Sequence, residues 1–326
     1  IRPTSPWPMQ VRRANPASNA APVRGGGGSG GASAAVPGGA PCALEPDRPG
    51  VVRERGGLCV LWKPPGWSAS VADEAKEGAP GPLRDRPDPE LGGDGAGDEF
   101  GLQRWVQQEL RSPIGADPRA SHGLVHRLDR GTSGLLLCAT SYGAYARALL
   151  HFAARRVAKE YLLLCHGHWP PHLLWIDTPL LRVGSARSPR SVASPRGQRA
   201  STEVTGAAHL HGGCGAGAFS LVEVRLHTGR LHQIRAHAAS QGFPLLGDTL
   251  YGREGGGGRA PGGGAARPCL HAHRLRVAGD PGPPLEASLP LPRDLRRVIS
   301  ELTAVGQRSA ATVNAHDAPG ADPYGI

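Results

Sequence analysis

At 326 residues, the chain has room for one sizeable domain with extensions or for two small ones, and is not a mini-protein. Its formal net charge of +10 favours a polyanionic partner, because clustered Lys and Arg release counterions from phosphate backbones; solubility alone is the plainer reading. Six cysteines without a C-x-x-C pair suggest neither a zinc site nor a disulfide framework, and no apolar run approaches the roughly 20 residues of a membrane span.

The first fifty residues are Arg, Pro, Ala and Gly with almost no acid before Glu45. They cannot bury enough apolar surface to fold, so the stretch is predicted to be disordered. It is either a plain tail or the remnant of an arginine-rich, acid-poor organellar targeting segment, and Ile1 at its head points to a fragment or a processed chain. Leu58, Val60 and Trp62 then alternate as in a half-buried strand, closed by a turn at Pro64-Pro65-Gly66. An acid-, Gly- and Pro-rich insertion is read at about 73–99. A helix follows in "LQRWVQQELR", with Leu102, Trp105, Val106 and Leu110 at helical spacing and Trp105 in the core.

Leu135-Leu136-Leu137 reads as a buried strand. Ser141 can cap a helix through "YGAYARALLHFAARR", with Arg155 and Arg156 at its negative end. "AKEYLLLCHG" and "FSLVEVRL" are strands, the second with Val222, Val224 and Leu226 on one face. Thr228-Gly229 makes a turn, and "RLHQIRAHAASQG" is a short helix stopped at Gly242. A second low-complexity insertion lies at about 253–264, followed by a strand in "CLHAHRLRV" and a helix in "PRDLRRVISEL" with Pro292 near its start. From Thr303 the residues are small and polar and are predicted to be disordered. Strands outnumber helices without regular alternation, so the class is α+β with a mixed, largely antiparallel sheet.

Three constellations carry chemistry. In "HGLVHRLDRGTSGLLLCAT", Asp129 stands among basic residues ahead of a strand, in a turn that would present it at a sheet edge. A lone carboxylate can serve as nucleophile, base or metal ligand; a metal is disfavoured because hard cations need several oxygens and the segment holds no second acid. The plainer alternative is an ion pair with Arg127 or Arg130. In "TGRLHQIRAH", His232 and Arg235 face the same way on a helix and Arg230 lies in the turn before it; a solvated basic face is the alternative. In "KEY", Lys159 to Tyr161, the alternative is an ordinary half-buried tyrosine.

Taken together and in order, "HGLVHRLDRGTSGLLL", "AKEYLLLCHG" and "HTGRLHQIRAHAASQGFPLLGDTLYG" resemble the signature segments of the RluA-type pseudouridine synthases. "LCVLWKPPGWSAS" is similar to that family's opening strand, and "CLHAHRLRV" with "LPLPRDLRRVI" to its closing strand and helix. The resemblance covers roughly residues 57–302. It implies a pseudouridine synthase fold around a central RNA-binding cleft, isomerising uridine to pseudouridine in ribosomal or transfer RNA with no cofactor and no metal.

Carried over by position, Asp129 would form a transient covalent bond with the target nucleoside, and Arg235 would pair with it, holding it charged and oriented. Tyr161 would stack on the flipped uracil and assist loss of the proton at carbon 5. Arg127 would wedge into the RNA where the base had been. His126, Arg230 and His232 would contact substrate. Gly131 stands where the family usually has an acid and Leu231 where it usually has threonine.

The implied organisation is a tail at 1–50, a catalytic domain at 51–305 and a tail at 306–326. Many relatives carry a small RNA-binding domain ahead of the catalytic one; here RNA capture is expected from the catalytic domain, the basic tail or sequence before Ile1. The expected partner is RNA, with no membrane, in an intracellular monomer placed in an organelle or otherwise in the cytoplasm. Two other readings compete. One is an RNA-binding or RNA-folding protein on the same scaffold with incidental or lost catalysis. The other is a carboxylate-nucleophile glycosidase, which would want a second acid near Asp129.

Overall fold

The computed structural model describes residues 47–69, 101–185, 188–213, 217–252, 264–279 and 282–317. The first 46 residues, the insertion read at 73–99, all but the last residue of that at 253–264, and the chain from 318 lie outside the described residues. In chain order the elements are β1 (Gly50–Arg55), β2 (Leu58–Lys63), α1 (Leu102–Glu109), two 3-10 turns (Pro113–Ala116, Pro118–Gly123), β3 (Ser133–Ala139), α2 (Tyr142–Ala153) and β4 (Val157–His166). Then come β5 (Trp175–Ile176), β6 (Leu180–Ser185), β7 (Ser188–Ala193), β8 (Thr202–Gly212), β9 (Ala218–Leu226) and α3 (Gln233–Ser240). The chain closes with β10 (Leu270–Val277), β11 (Leu285–Ser288), α4 (Arg293–Ser300), β12 (Leu302–Ala304) and α5 (Gly306–Asp317).

Among the described residues, ten strands make one sheet in the order β1-β2-β3-β10-β4-β9-β8-β12, with β11 beside β10 and β5 beside β8. The β3–β10 pair is parallel and the other pairs are antiparallel. The expected α+β class with a mixed, largely antiparallel sheet is what the chain adopts. Gly134 makes the parallel pair possible: its φ is +127°, and a Cβ there would lie 2.3 Å from the Ala272 carbonyl oxygen. No helix among the described residues is long and apolar enough to cross a membrane.

The two-residue period of β4 sorts its side chains between the sheet faces. Tyr161, Leu163 and Cys165 join a core with Leu128, Ile234 and Leu270, whereas Leu162 and Leu164 join another with Leu291, Leu295 and Ile299. Strand β2 departs from the half-buried reading: all six of its residues are buried. Cys59 and Leu61 meet Leu102 and Val106 of α1 on one face, and Leu58, Val60 and Trp62 share a cluster with Ala144 and Ala148 of α2 on the other.

Further departures have local causes. The Ser141 hydroxyl caps α2 by accepting from the Ala144 N–H, but the helix ends at Ala153. Arg155, at φ +55°, already lies in the left-handed turn beyond it. Gly50, placed in the tail by composition, begins β1, which pairs with β2. The disorder expected from Thr303 is overturned as far as Asp317: β12 pairs with β8, and in α5 the Ser309 hydroxyl accepts from the His209 N–H at 3.1 Å. Backbone pairing and packing on β8 thus order a segment too polar to announce itself.

His237 and His271 are fully buried in this framework. Desolvation is the main cause holding them below the ordinary imidazole value of 6.5, to about 4 and about 3. His237 is satisfied as a neutral ring, with Nε2–H donating to the Thr178 carbonyl and Nδ1 2.9 Å from the Thr202 hydroxyl. As pH falls through 6.5 the unfolded chain takes up these protons first, so the stability present above 6.5 is withdrawn down to pH 3–4. Between pH 7 and 5.5 each histidine should withdraw about 1 kcal/mol. Urea unfolding across this range should show the loss, with a shallower slope for His237→Gln; a flat profile would contradict it.

Candidate active site

The segment before β3 is strapped down from two sides. The His126 Nε2 accepts from the Leu137 N–H at 3.0 Å, and the Val125 N–H donates to the Leu137 carbonyl. The buried Lys63 ammonium donates to the carbonyls of Pro64, Trp67 and Arg130 at 2.9, 2.8 and 3.2 Å. Arg130 and Gly66 exchange two hydrogen bonds, Nε to carbonyl and amide to carbonyl. The Thr132 N–H closes the turn on the Asp129 carbonyl. Asp129 therefore sits at the mouth of an interior strand rather than at a sheet edge, with its side chain 16% exposed.

Arg235, in α3, is 1% exposed. Its expected partner was Asp129; its short, two-pronged partner is Asp248, through Nε to Oδ2 at 2.7 Å and Nη2 to Oδ1 at 2.9 Å. Nη1 lies 3.7 Å from Asp129 Oδ2, so one guanidinium is shared by two carboxylates. Asp248 Oδ1 also accepts the N–H groups of Leu250 and Tyr251. Gly247 must be glycine, with φ +76° and a Cβ that would lie 2.1 Å from the Arg267 carbonyl oxygen. Asp248 is the second acid that the sequence did not reveal beside Asp129. Fully buried and held bidentate, it is badly placed to protonate a glycosidic leaving group.

The turn before α3 is set by Gln233, whose Oε1 accepts from the Thr228 hydroxyl and the Arg230 N–H and whose Nε2 donates to the Ser201 carbonyl. His232 occupies the left-handed region at φ 49°, a strained position for a non-glycine residue. Its Nδ1 lies 3.3 Å from the Tyr251 hydroxyl, which accepts from the Ser191 N–H, and the Arg235 guanidinium lies 5.1 Å from the Tyr251 ring centroid. Tyr161 reaches the same cleft from β4. Burial, and next the charge of Asp129, push its phenol well above the ordinary tyrosine value, so it is protonated at neutral pH.

The cleft encloses about 720 Å³. Of the residues singled out in the sequence, His126, Arg127, Asp129, Tyr161, Arg230 and His232 line it, and Arg235 lies behind Asp129. Arg127, Lys159, Arg182, Arg196 and Arg230 line the cleft together with Asp129, the single carboxylate in the wall among the described residues, so the hollow suits a polyanion. Lys159, Asp248 and Tyr251 were missed as functional candidates although all three fall within the motifs. Gly131 packs where a Cβ would meet Pro268 Cδ at 3.2 Å, and Arg267, bound to the Gly131 carbonyl, takes Asp294 of α4 as its carboxylate. The Leu231 carbonyl accepts from the Ser191 hydroxyl at 2.6 Å. One group of metal-type donors comes together among the described residues, Glu160, Glu223 and His273. It lies on the other face of the sheet from Tyr161, with Glu160 bound to Arg225 at 2.6 Å.

The model of the family described as RNA pseudouridylate synthase matches residues 60–240. RNA pseudouridine synthase 2, chloroplastic, of Oryza sativa subsp. japonica is 34% identical over 64% of this chain and 50% of its own. Ribosomal large subunit pseudouridine synthase D of Escherichia coli K12 is 32% identical over 64% of each. The chain thus spans about half the length of the rice relative. The structure of Human RNA Pseudouridylate Synthase Domain Containing 1 superposes with a TM-score of 0.57 at 22% identity, over 83% of this chain and 96% of that one, a likeness of fold. The chain belongs to the RNA pseudouridylate synthase family and is of the RluA type.

The buried pair makes a stability test independent of any activity. Asp248→Leu leaves the buried Arg235 guanidinium with only the longer contact to Asp129 and should lower the unfolding free energy by about 3 kcal/mol. The double variant Asp248→Leu/Arg235→Met should lose less than that single, because the buried cation is gone and the Asp129 left behind is the more exposed carboxylate. Urea unfolding measures both, and additive losses would show that the two residues are not coupled.

Proposed function

We propose that the cleft isomerises uridine to pseudouridine in RNA, with ribosomal RNA as the substrate class and Asp129 as the covalent carboxylate. The observation that carries this reading is the placement of Asp129 against Arg235, in a cleft shared with Tyr161 and five cations. Cations at the lip take the RNA backbone, and the target base leaves its stack to enter the hollow, with Arg127 filling the vacated position. Asp129 bonds transiently to the nucleoside as the bond between N1 and C1′ breaks. The base turns, C5 bonds to C1′ as the bond from Asp129 breaks and frees the carboxylate, and the proton on C5 is lost while N1 gains one. Tyr161 stacks under the uracil; being protonated, it can take up the C5 proton only in exchange for its own. Asp248 and Tyr251 act through Arg235, as positioning residues.

Ribosomal RNA is favoured over transfer RNA by the names of the relatives, and pseudouridine mapping of both after depletion decides between them. The acid-poor first fifty residues and the chloroplastic relatives support an organellar address, which a fluorescent fusion at the C-terminus tests.

Asp129→Asn should abolish tritium release from uridine-labelled RNA while RNA affinity and melting stay near wild type, because the amide keeps the shape without the nucleophile. Binding without turnover in the wild-type protein would establish the RNA-binding alternative. Tyr161→Phe should slow the single-turnover step by roughly 10²–10⁴-fold with little change in affinity. Wild-type rates in that variant would reduce Tyr161 to a packing residue.

A further inference from the structure

Lys159 and Tyr161 stand two residues apart on β4 and so project to the same side, roughly 6.6 Å apart along the strand. That is about the spacing between a nucleotide's base and its phosphate. The Lys159 ammonium lies 5.5 Å from the centroid of the Phe152 ring. It lies beside Gly229, where an added Cβ would stand 3.7 Å from Nζ, and both residues line the cleft.

Among the described residues no carboxylate pairs with Lys159. Glu160, its neighbour, points to the other face and is bound by Arg225. The titratable groups that line the cleft with Lys159 are Tyr161 on its own strand, His126, Arg127 and Asp129 from the segment before β3, Arg182 and Arg196 near the β6–β7 hairpin, and Arg230 and His232 before α3. His126 is uncharged at neutral pH, since burial, and next the charge of Lys159, lowers its pKa to about 3.

We propose that Lys159 holds a phosphodiester oxygen of the RNA beside the flipped nucleotide, fixing the backbone while Tyr161 holds the base. This rests on the reading of the cleft as the pseudouridine-forming site. Burial supports it, because desolvation lowers the ammonium to about 8, a penalty that a bound anion offsets. An ammonium serves as a point charge for phosphate without needing a planar partner.

The test is binding of the full chain to a labelled oligouridylate, by fluorescence anisotropy over a range of salt and pH. Lys159→Met should reduce the slope of log affinity against log salt by roughly 0.7, the contribution of one phosphate on a single strand; Lys159→Arg should keep the wild-type slope. Wild-type affinity should fall from pH 7 to pH 8.5 as the ammonium loses its proton, and the fall should be smaller in both variants. An unchanged slope in Lys159→Met, or no binding by the wild-type chain, overturns the proposal. If Lys159→Met does not melt cooperatively, Lys159→Gln carries the same comparison. Pseudouridine formation assayed in parallel separates the two readings. Product with an unchanged slope sinks the role of Lys159 alone, whereas the slope change without product keeps the phosphate contact and sinks the enzyme.

Discussion

A guanidinium 1% exposed and shared by two carboxylates is the constraint on which the site is built. A charge so placed would cost several kcal/mol if left alone, so Arg235 requires Asp248. Asp248 in turn requires the backbone geometry that Gly247 permits against Arg267. With two prongs spent on Asp248, only Nη1 remains for Asp129. One formal positive charge against two negative ones leaves the trio negative overall, and the surplus lies on the more exposed carboxylate, which opens to the cleft. A single buried residue thereby sets both the direction and the charge environment of Asp129.

The rest of the fold supplies the other coordinates from rigid elements. Tyr161 comes from an interior strand paired on both edges, and Asp129 from the turn that opens another. Lys63 at the end of β2 ties that turn to the segment after β2, donating to the Arg130 carbonyl on one side and to those of Pro64 and Trp67 on the other. Chemistry that proceeds by positioning needs such support, since small displacements of a reacting group are costly in rate. Of the cations in the wall, Arg182, Arg196 and Arg230 are exposed, whereas Arg127 and Lys159 are partly buried like Asp129.

Much of this was legible in the sequence, for a physical reason. Asp129, Tyr161 and Arg235 each lie in a contiguous motif, the apolar period of β9 follows from its own burial, and the Ser141 cap announces α2. Asp248 was quoted within "GDTLYG" without a role, because its partner is thirteen residues away and no local pattern announces a buried ion pair; the Gly247-Asp248 step was the available signal. The β6–β7 hairpin and β8 were given no reading, because "LLRVGSARSPRSVA" and "TEVTGAAHLHG" are rich in small and polar residues, and backbone pairing rather than residue preference makes them strands. Segment α5 hid in the same way, ordered through β8 and not by an apolar face of its own.

The claim that the shared guanidinium orients Asp129 is tested most directly by single-turnover pseudouridine formation in Arg235→Lys, measured on cooperatively melting protein at saturating enzyme. Lysine restores the charge but cannot hold Asp248 with two prongs and still reach Asp129. The account predicts RNA affinity near wild type with the chemical step slowed by two orders of magnitude or more, roughly the cost of misplacing a reacting group by about 1 Å. A chemical step within a few-fold of wild type would show that charge near Asp129 suffices, and that the geometry imposed through Asp248 does not orient the carboxylate.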